Sequence, residues 1–296
     1  MHLTSRRDEH STPKATLTER RTVVDGPTAE IAVLSIRGLG AAPTDASYTP
    51  LPQFVFPLDG VHLLADGRTE LLVDMNHAAV IPGLSTTRDR HPSRGDMSCL
   101  IVTPTPDILE EAGANRQAVW NQSCFSRPFS AQAQMSACLA ASEGDTCRSE
   151  ELALELVRTM LDAAPSPAAV AGGRRLRLIR DVKELLAENL HPISLSEAAA
   201  QVGVTASYLT TLFHELEGMP LYRYHTRLRL AEALRRLIGC EDITALALDL
   251  GFSSHSHFTS AFRSAFGLTP SQFRAETRGA SRGWTGARRL SAHSGA

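Results

Sequence analysis

The chain reads as a two-part α+β protein: a strand-rich N-terminal half with trailing helices, then an all-α C-terminal half with two helix-turn-helix motifs. Three observations predict this. Between Leu195 and Arg274 one helix-turn-helix pattern is written twice, with turn glycines at positions 203 and 251. Short apolar runs separated by turn signals fill residues 22–103, the texture of a β-sandwich or barrel. Charge changes sign between the halves: residues 1–173 hold 14 Lys/Arg against 21 Asp/Glu, and residues 174–296 hold 16 against 11.

Taken in order, residues 1–21 are polar and charged and are expected to form a flexible arm. Strand runs follow at Ala32–Ile36, Gln53–Phe56, Val61–Leu64, Glu70–Val73, Ala78–Ile81 and Cys99–Val102. Leu58-Asp-Gly60, Ala65-Asp-Gly67 and Pro82-Gly83 supply the turns between them. Helices should trail the strands to residue 162, the clearest being Glu150–Leu161, where Leu152, Leu156 and Met160 recur at helical spacing. Residues 163–173, with two prolines and a closing glycine pair, read as a linker.

Beyond the linker, Leu176, Ile179, Val182 and Leu186 form one helical stripe. Pro192 stops that helix, and Ser194-Leu-Ser-Glu197 fits a capping box that opens the next. The first motif runs through Gly203 to Phe213, with Leu209, Leu212 and Phe213 apolar. A long amphipathic helix (Leu221, Tyr224, Leu228, Ala231, Leu234, Ile238) leads to the second, from Ile243 through Gly251 to Phe262. A helix that stops at a left-handed turn and restarts at a steep angle needs glycine at the corner. Residues 279–296 are rich in Gly, Ser and Arg and are expected to be disordered.

If each second helix buries its apolar stripe, the opposite faces present Ser207, Thr210, Thr211 and His214 in the first motif. In the second they present Ser256, His257, Thr259, Ser260 and Arg263. Small polar side chains let a helix approach base edges in a major groove closely. The basic C-terminal balance suits phosphate, though the excess is modest.

No apolar run approaches the roughly 18–20 residues of a membrane span, and the N-terminus lacks a signal-type apolar segment. A cytoplasmic protein is expected. The five cysteines are odd in number and form no CxxC pair, so reduced thiols are expected. Cys124, Cys138 and Cys147 leave open a redox reading. His62, His77 and His91 stand singly, and only His91 with Cys99 and a later cysteine suggests a metal site; a plain turn histidine is the simpler reading.

The series Ile243-Thr-Ala-Leu-Ala, Gly251-Phe252, Phe258, Phe262-Arg263, Gly267-Leu-Thr-Pro270 and Phe273-Arg274 resembles the signature of AraC/XylS-type transcription regulators. Tyr224, Arg227-Leu228, Ala231 and Leu234 extend the match across residues 174–278. The resemblance implies two helix-turn-helix subdomains held by the long helix and reading successive major grooves. It places Ser207, Thr210 and Thr211, then His255, Ser256 and Ser260, at base-reading positions. Arg227 and Arg263 become candidates for phosphate contact or for bracing the helices.

Two positions depart from the family: Thr211 and Ser260 stand where arginine is frequent, and no Lys or Arg occurs from Gly203 to Tyr222. A single copy should therefore read its half-site weakly, with dimerisation or DNA shape supplying specificity. More weakly, Pro57-Leu-Asp-Gly60, Asp66-Gly67, Pro82-Gly83, His91-Pro92 and Gly95-Asp96 resemble the cupin-like sensor domains of such regulators. That implies a small barrel over residues 22–162 for sensing and dimerisation. The reading is thus a non-enzymatic, homodimeric DNA-binding regulator, tilted by the resemblance towards activation. Double-stranded DNA, a small-molecule effector and RNA polymerase are its candidate partners, without cofactor, metal or membrane. A cupin-type metalloenzyme fused to a DNA-binding module is the alternative.

Overall fold

A computed structural model describes residues 17–39, 43–65, 70–90, 95–112, 124–126, 129–141, 146–162 and 173–278. Its N-terminal part is strand-rich and its C-terminal part helical. Among the described residues the strands are β1 (Leu17–Asp25), β2 (Ala29–Leu39), β3 (Ser47–Thr49), β4 (Gln53–Pro57) and β5 (Val61–Ala65), then β6 (Glu70–Asp74), β7 (His77–Ile81), β8 (Ser85–Arg90), β9 (Gly95–Pro104) and β10 (Cys124–Ser126). They form a six-stranded sheet in the order β1-β2-β9-β4-β7-β10 and a four-stranded sheet in the order β3-β8-β5-β6. The ladders of both are antiparallel.

The sequence of the larger sheet shows why it is buried on both faces. Successive strand side chains point to opposite sides, and here both sides are apolar. Phe54, Phe56, Ala78, Val80, Leu100 and Val102 pack outward against helices α2 (Phe129–Ala141) and α3 (Thr146–Leu161), which follow the short α1 (Pro106–Ala112). The alternate residues Val55, Ala79, Ile81, Met97 and Cys99 turn inward and meet Leu64, Leu71 and Val73 of the smaller sheet. A cavity of about 440 Å³ remains between the sheets.

Two boundaries differ from the sequence reading. Residues 17–21, expected within a flexible arm, open β1 and pair with β2 from Leu17↔Arg37 onward; residues 1–16 lie outside the described residues. Strands β3 and β8 were not expected, because Ser85-Thr-Thr-Arg-Asp-Arg90 has no apolar residue to mark it. The remaining linker residues 163–172 and the tail 279–296 are likewise outside the described residues, and Gly173 already belongs to a helix.

The C-terminal part comprises α4 (Gly173–Glu188), α5 (Leu195–Gln201), α6 (Ala206–Glu217), α7 (Leu221–Leu237), α8 (Ile243–Asp249), α9 (His255–Phe266) and α10 (Pro270–Arg278). Its starts are the capped ones. Ser194 Oγ accepts from the Glu197 amide at 3.1 Å, and the Glu197 carboxylate accepts from the Ser194 amide at 2.8 Å. Thr205, Asp242 and Ser254 cap α6, α8 and α9 in the same sense. The corners at Gly203 and Gly251 adopt φ of +70° and +74°.

Two cores fill this part. α4, α5, α6 and the start of α7 enclose Ile179, Val182, Leu209, Leu212, Phe213 and Tyr224. The end of α7 with α8, α9 and α10 encloses Leu234, Leu246, Phe258, Phe262, Phe266 and Phe273. Each core also takes in residues of the N-terminal half. Met75, in the turn between β6 and β7, is buried in the first; Ala133 of α2 is buried in the second, with Phe129 packed against it.

Candidate nucleic-acid interface

Apolar spacing dictates which faces of α6 and α9 stay free. Leu209, Leu212 and Phe213 are buried on α6, and Phe258, Phe262 and Phe266 on α9. The opposite faces carry Ser207, Thr210, Thr211 and His214, and His255, Ser256, Ser260 and Arg263, every one of them exposed. The sequence singled out these eight and two more on α9: His257 is exposed as well, whereas Thr259 is only partly exposed and its Oγ1 is buried on the packed flank of the helix.

Their chemistry is narrower than their residue types suggest. Thr210 Oγ1 donates to the Ala206 carbonyl at 2.9 Å and Thr211 Oγ1 to that of Ser207 at 3.3 Å. With the hydroxyl hydrogens turned back into the helix, methyl groups and oxygen lone pairs remain for an incoming partner. On α9, His257 Nδ1 lies 3.1 Å from Ser253 Oγ, and the ring stands edge-on to Phe252.

Tyr208 was not singled out by sequence, yet it is 45% exposed on α6. A tyrosine within an otherwise apolar stretch reads as core until the helix register shows Leu209, rather than Tyr208, pointing inward. Glu215 on the same helix is exposed and pairs with Arg175 of α4, which offsets a negative charge beside the polar face.

Arg227 stands apart from the other predicted positions. It is half-buried on α7, its guanidinium 4.8 Å from the centroid of the Phe129 ring, so it braces α7 against α2. Burial holds its pKa below the ordinary arginine value. The neighbouring Arg229 does comparable work at the second corner: it donates to the Gly251 carbonyl at 3.0 Å and lies over Phe252 at 5.0 Å. A carbonyl next to a left-handed residue has left the helical ladder, and the arginine satisfies it.

A buried polar cluster lies where the sheets meet the first helical core. Lys183 Nζ is 2.7 Å from the Glu217 carboxylate and 3.9 Å from that of Asp74. His77 Nδ1 lies 2.8 Å from Asp74 and its Nε2 3.4 Å from Glu217. Tyr224 donates to Asp74. Burial alone would raise the pKa of both carboxylates, but the charges of His77 and Lys183 outweigh it and hold Asp74 and Glu217 below the usual range. For His77, burial and Lys183 push down while Asp74 and Glu217 push up, and the upward pull wins. Asn76 Nδ2 donates to the Tyr224 carbonyl and Gln132 Nε2 to that of Met75, both at 3.2 Å. The β6–β7 turn is thereby held from both halves.

The metal and redox readings each include a residue whose side chain is outside the description, His91 and Cys124 respectively. Among the described residues no group of three or more His, Cys, Asp or Glu could hold a metal ion; His91 lies outside those residues. Cys99 and Cys138 are buried, and burial pushes the Cys138 thiol up to about 12. Cys147 is exposed. No helix of the described residues is long and apolar enough to cross a membrane.

Comparison with known proteins places the helical part. A family described as "Helix-turn-helix domain" matches residues 198–276. The chain is 32% identical over 135 residues to the HTH-type transcriptional regulator ArgR of Pseudomonas aeruginosa, covering 45% of this chain and 41% of that one. It is 46% identical over 70 residues to the transcriptional activator RhaS of Pectobacterium carotovorum, covering 22% of this chain and 25% of that one. The chain thus matches less than half the length of either relative. Among solved structures, a transcriptional regulator of the AraC-type DNA-binding class from Chromobacterium violaceum is 32% identical, covering 34% of this chain and 92% of that one at a TM-score of 0.32. Sequence signature and matched relatives agree: the C-terminal region of this chain belongs to the AraC/XylS-type family of helix-turn-helix transcription regulators.

Proposed function

We propose that this protein is a sequence-specific DNA-binding transcription regulator that responds to a small molecule held by its N-terminal half. The observation that carries the reading is the pairing of α6 and α9. Each follows a glycine corner, buries one apolar face and exposes a polar one, and a single helix, α7, links them. At 17 residues α7 is about 25 Å long, comparable with the roughly 34 Å between successive major grooves on one DNA face. In this reading Ser207, Thr210, Thr211 and His214 enter one groove and His255, Ser256 and Ser260 the next, with Arg263 on phosphate and Arg227 bracing.

The N-terminal sheets act as a cupin-like barrel whose cavity is the effector site. Met75, Ala133 and Phe129, seated in the two helical cores, give that half a physical route to the reading helices. A homodimer formed through the N-terminal half would place two reading modules on DNA, and contact with RNA polymerase would make the protein an activator.

The test is selection of binding sites from random duplexes with the full-length chain, followed by footprinting. A bipartite protected site on one DNA face, lost in a Thr211→Ala/Ser260→Ala double variant that still folds, is the expected result. Sequence-independent protection, or none, would overturn the reading.

A further inference from the structure

The cavity between the sheets carries an unusual charge. Its wall is about evenly divided between apolar and polar surface, with Leu34, Ile36, Val55, Leu64, Met97 and Ile101 among the apolar contributors. Hydroxyls from Thr18, Ser47, Thr49 and Thr87 interrupt it, and its ionisable carboxylates are Asp45 and Asp89. Among the described residues lining it there is no Lys, Arg or His. Its volume, about 440 Å³, falls in the usual range of roughly 300–1,000 Å³ for small-molecule sites.

Asp89 is the informative residue. On β8 the side chains alternate, so Thr87 and Asp89 face inward while Thr86 and Arg88 are exposed. Its backbone is fixed at both ends of the peptide unit. The Asp89 amide donates to Thr44 Oγ1 at 3.0 Å, and its carbonyl accepts from the Thr44 amide at 2.8 Å. The carboxylate, by contrast, has no hydrogen bond or ion pair among the described residues, and burial pushes its pKa up to about 6. Asp89 is half-buried, and a charge partly withdrawn from water without a counter-ion is costly and marks a candidate ligand contact.

We infer that the cavity binds a small molecule carrying a cationic amine on an apolar body, with Asp89 as the counter-ion to the ammonium group. The geometry fits this class on three counts. An ammonium group donates three hydrogen bonds, and carboxylate and hydroxyl acceptors line the wall. The apolar part of the wall takes a hydrocarbon or aromatic body. A carboxylate or phosphate ligand would meet two acids and no described cation, the arrangement that rejects a wrong ligand by like charge. The inference rests on the cavity as effector site but concerns only what the cavity binds.

The test uses full-length protein and three matched probes, 2-phenylethylamine, 2-phenylethanol and 3-phenylpropionate, with hexylamine, hexanol and heptanoate as an aliphatic set. Binding is followed by calorimetry and thermal shift near pH 7.5. Amines are expected to bind at least about tenfold more tightly than the matched alcohols, and the carboxylates weakest of all. Asp89→Asn should cut amine affinity by about tenfold or more and leave alcohol affinity within about twofold. Circular dichroism and retained DNA binding show that the variant is folded, and Asp45→Asn reports whether the mouth carboxylate contributes.

Carboxylates binding as tightly as amines, amine affinity unchanged in Asp89→Asn, or no amine of either set binding at millimolar concentration would each overturn the inference. DNA affinity measured with and without amine addresses the effector reading separately. Asp89-dependent amine binding that leaves DNA affinity unchanged upholds the ligand class and removes the effector role.

Discussion

Tyr224, near the start of α7, donates its phenolic hydrogen to Asp74, the last residue of β6. That bond joins the strand-rich N-terminal half to the helical C-terminal half, between two fully buried side chains. Around it Lys183, His77 and Glu217 complete a cluster of alternating charge. A buried set of this kind adds little over apolar packing when whole, but it is costly to break, because the remaining charges have no solvent to turn to. It therefore fixes register between the halves.

Removing one member should be severe. Asp74→Ala is expected to destabilise the protein by about 3–5 kcal/mol, because Tyr224 and His77 lose their shared acceptor. Tyr224→Phe removes only a hydrogen bond to a charged group and should cost about 1.5–3 kcal/mol. Urea unfolding of both variants beside wild type measures the order, and an Asp74→Ala cost below that of Tyr224→Phe would contradict the cluster as described.

The same cluster gives a pH dependence with a definite sign. Asp74 and Glu217 are held below their ordinary values of 3.8 and 4.5, so their contribution is present above those values and is lost as pH falls through the depressed folded ones. His77 is raised above 6.5, so its contribution is complete below 6.5 and is lost as pH rises through the raised value. The stability gap between wild type and His77→Gln should accordingly be widest near pH 6 and shrink towards pH 9. Melting temperatures of the pair across that range decide it, and a gap that widens with pH would reverse the assignment.

Asp89 works in the opposite sense. Its carboxyl is raised from 3.8 to about 6, so the empty protein loses stability as pH rises across that interval. Asp89→Asn should stabilise the unliganded protein at pH 7.5 by about 1 kcal/mol once partial access to solvent is allowed for, read as a raised melting temperature. A fall in stability would show that the carboxylate has a partner in the empty protein.

The two corner glycines should respond unequally. A Cβ at Gly203 meets nothing within 4 Å, whereas at Gly251 it would lie 2.7 Å from Pro192 Cδ and 2.8 Å from the Leu190 carbonyl oxygen. Both sit at positive φ, so Gly203→Ala should cost about 1–2 kcal/mol from backbone strain. Gly251→Ala adds overpacking of about 1–3 kcal/mol. Chemical denaturation should show the larger loss at 251.

At the DNA face, Arg263→Ala should weaken binding about equally for all sequences and reduce the salt slope by about 1. Ser256→Ala should leave that slope unchanged while relaxing discrimination at one base position. Titrations at several salt concentrations on specific and scrambled duplexes separate the two, and equal slopes for wild type and Arg263→Ala would remove Arg263 from the phosphate contacts.

By itself the sequence determined the helical part almost element by element. Gly203 and Gly251, the Ser194–Glu197 capping box and the phenylalanine stripe of α9 are local features, fixed by backbone geometry and by a period of 3.6 residues. The apolar strands were legible for the same reason, whereas β8 was not, since its inward residues Thr87 and Asp89 face a cavity and need not be apolar. Tertiary structure alone decided the rest. His77 read as a solitary histidine and Tyr224 as one more member of an apolar stripe, and nothing in the sequence pattern marked Lys183. Only the folded chain brings these distant residues to Asp74, because a buried charge is defined by its partners in space and leaves no periodic trace in sequence.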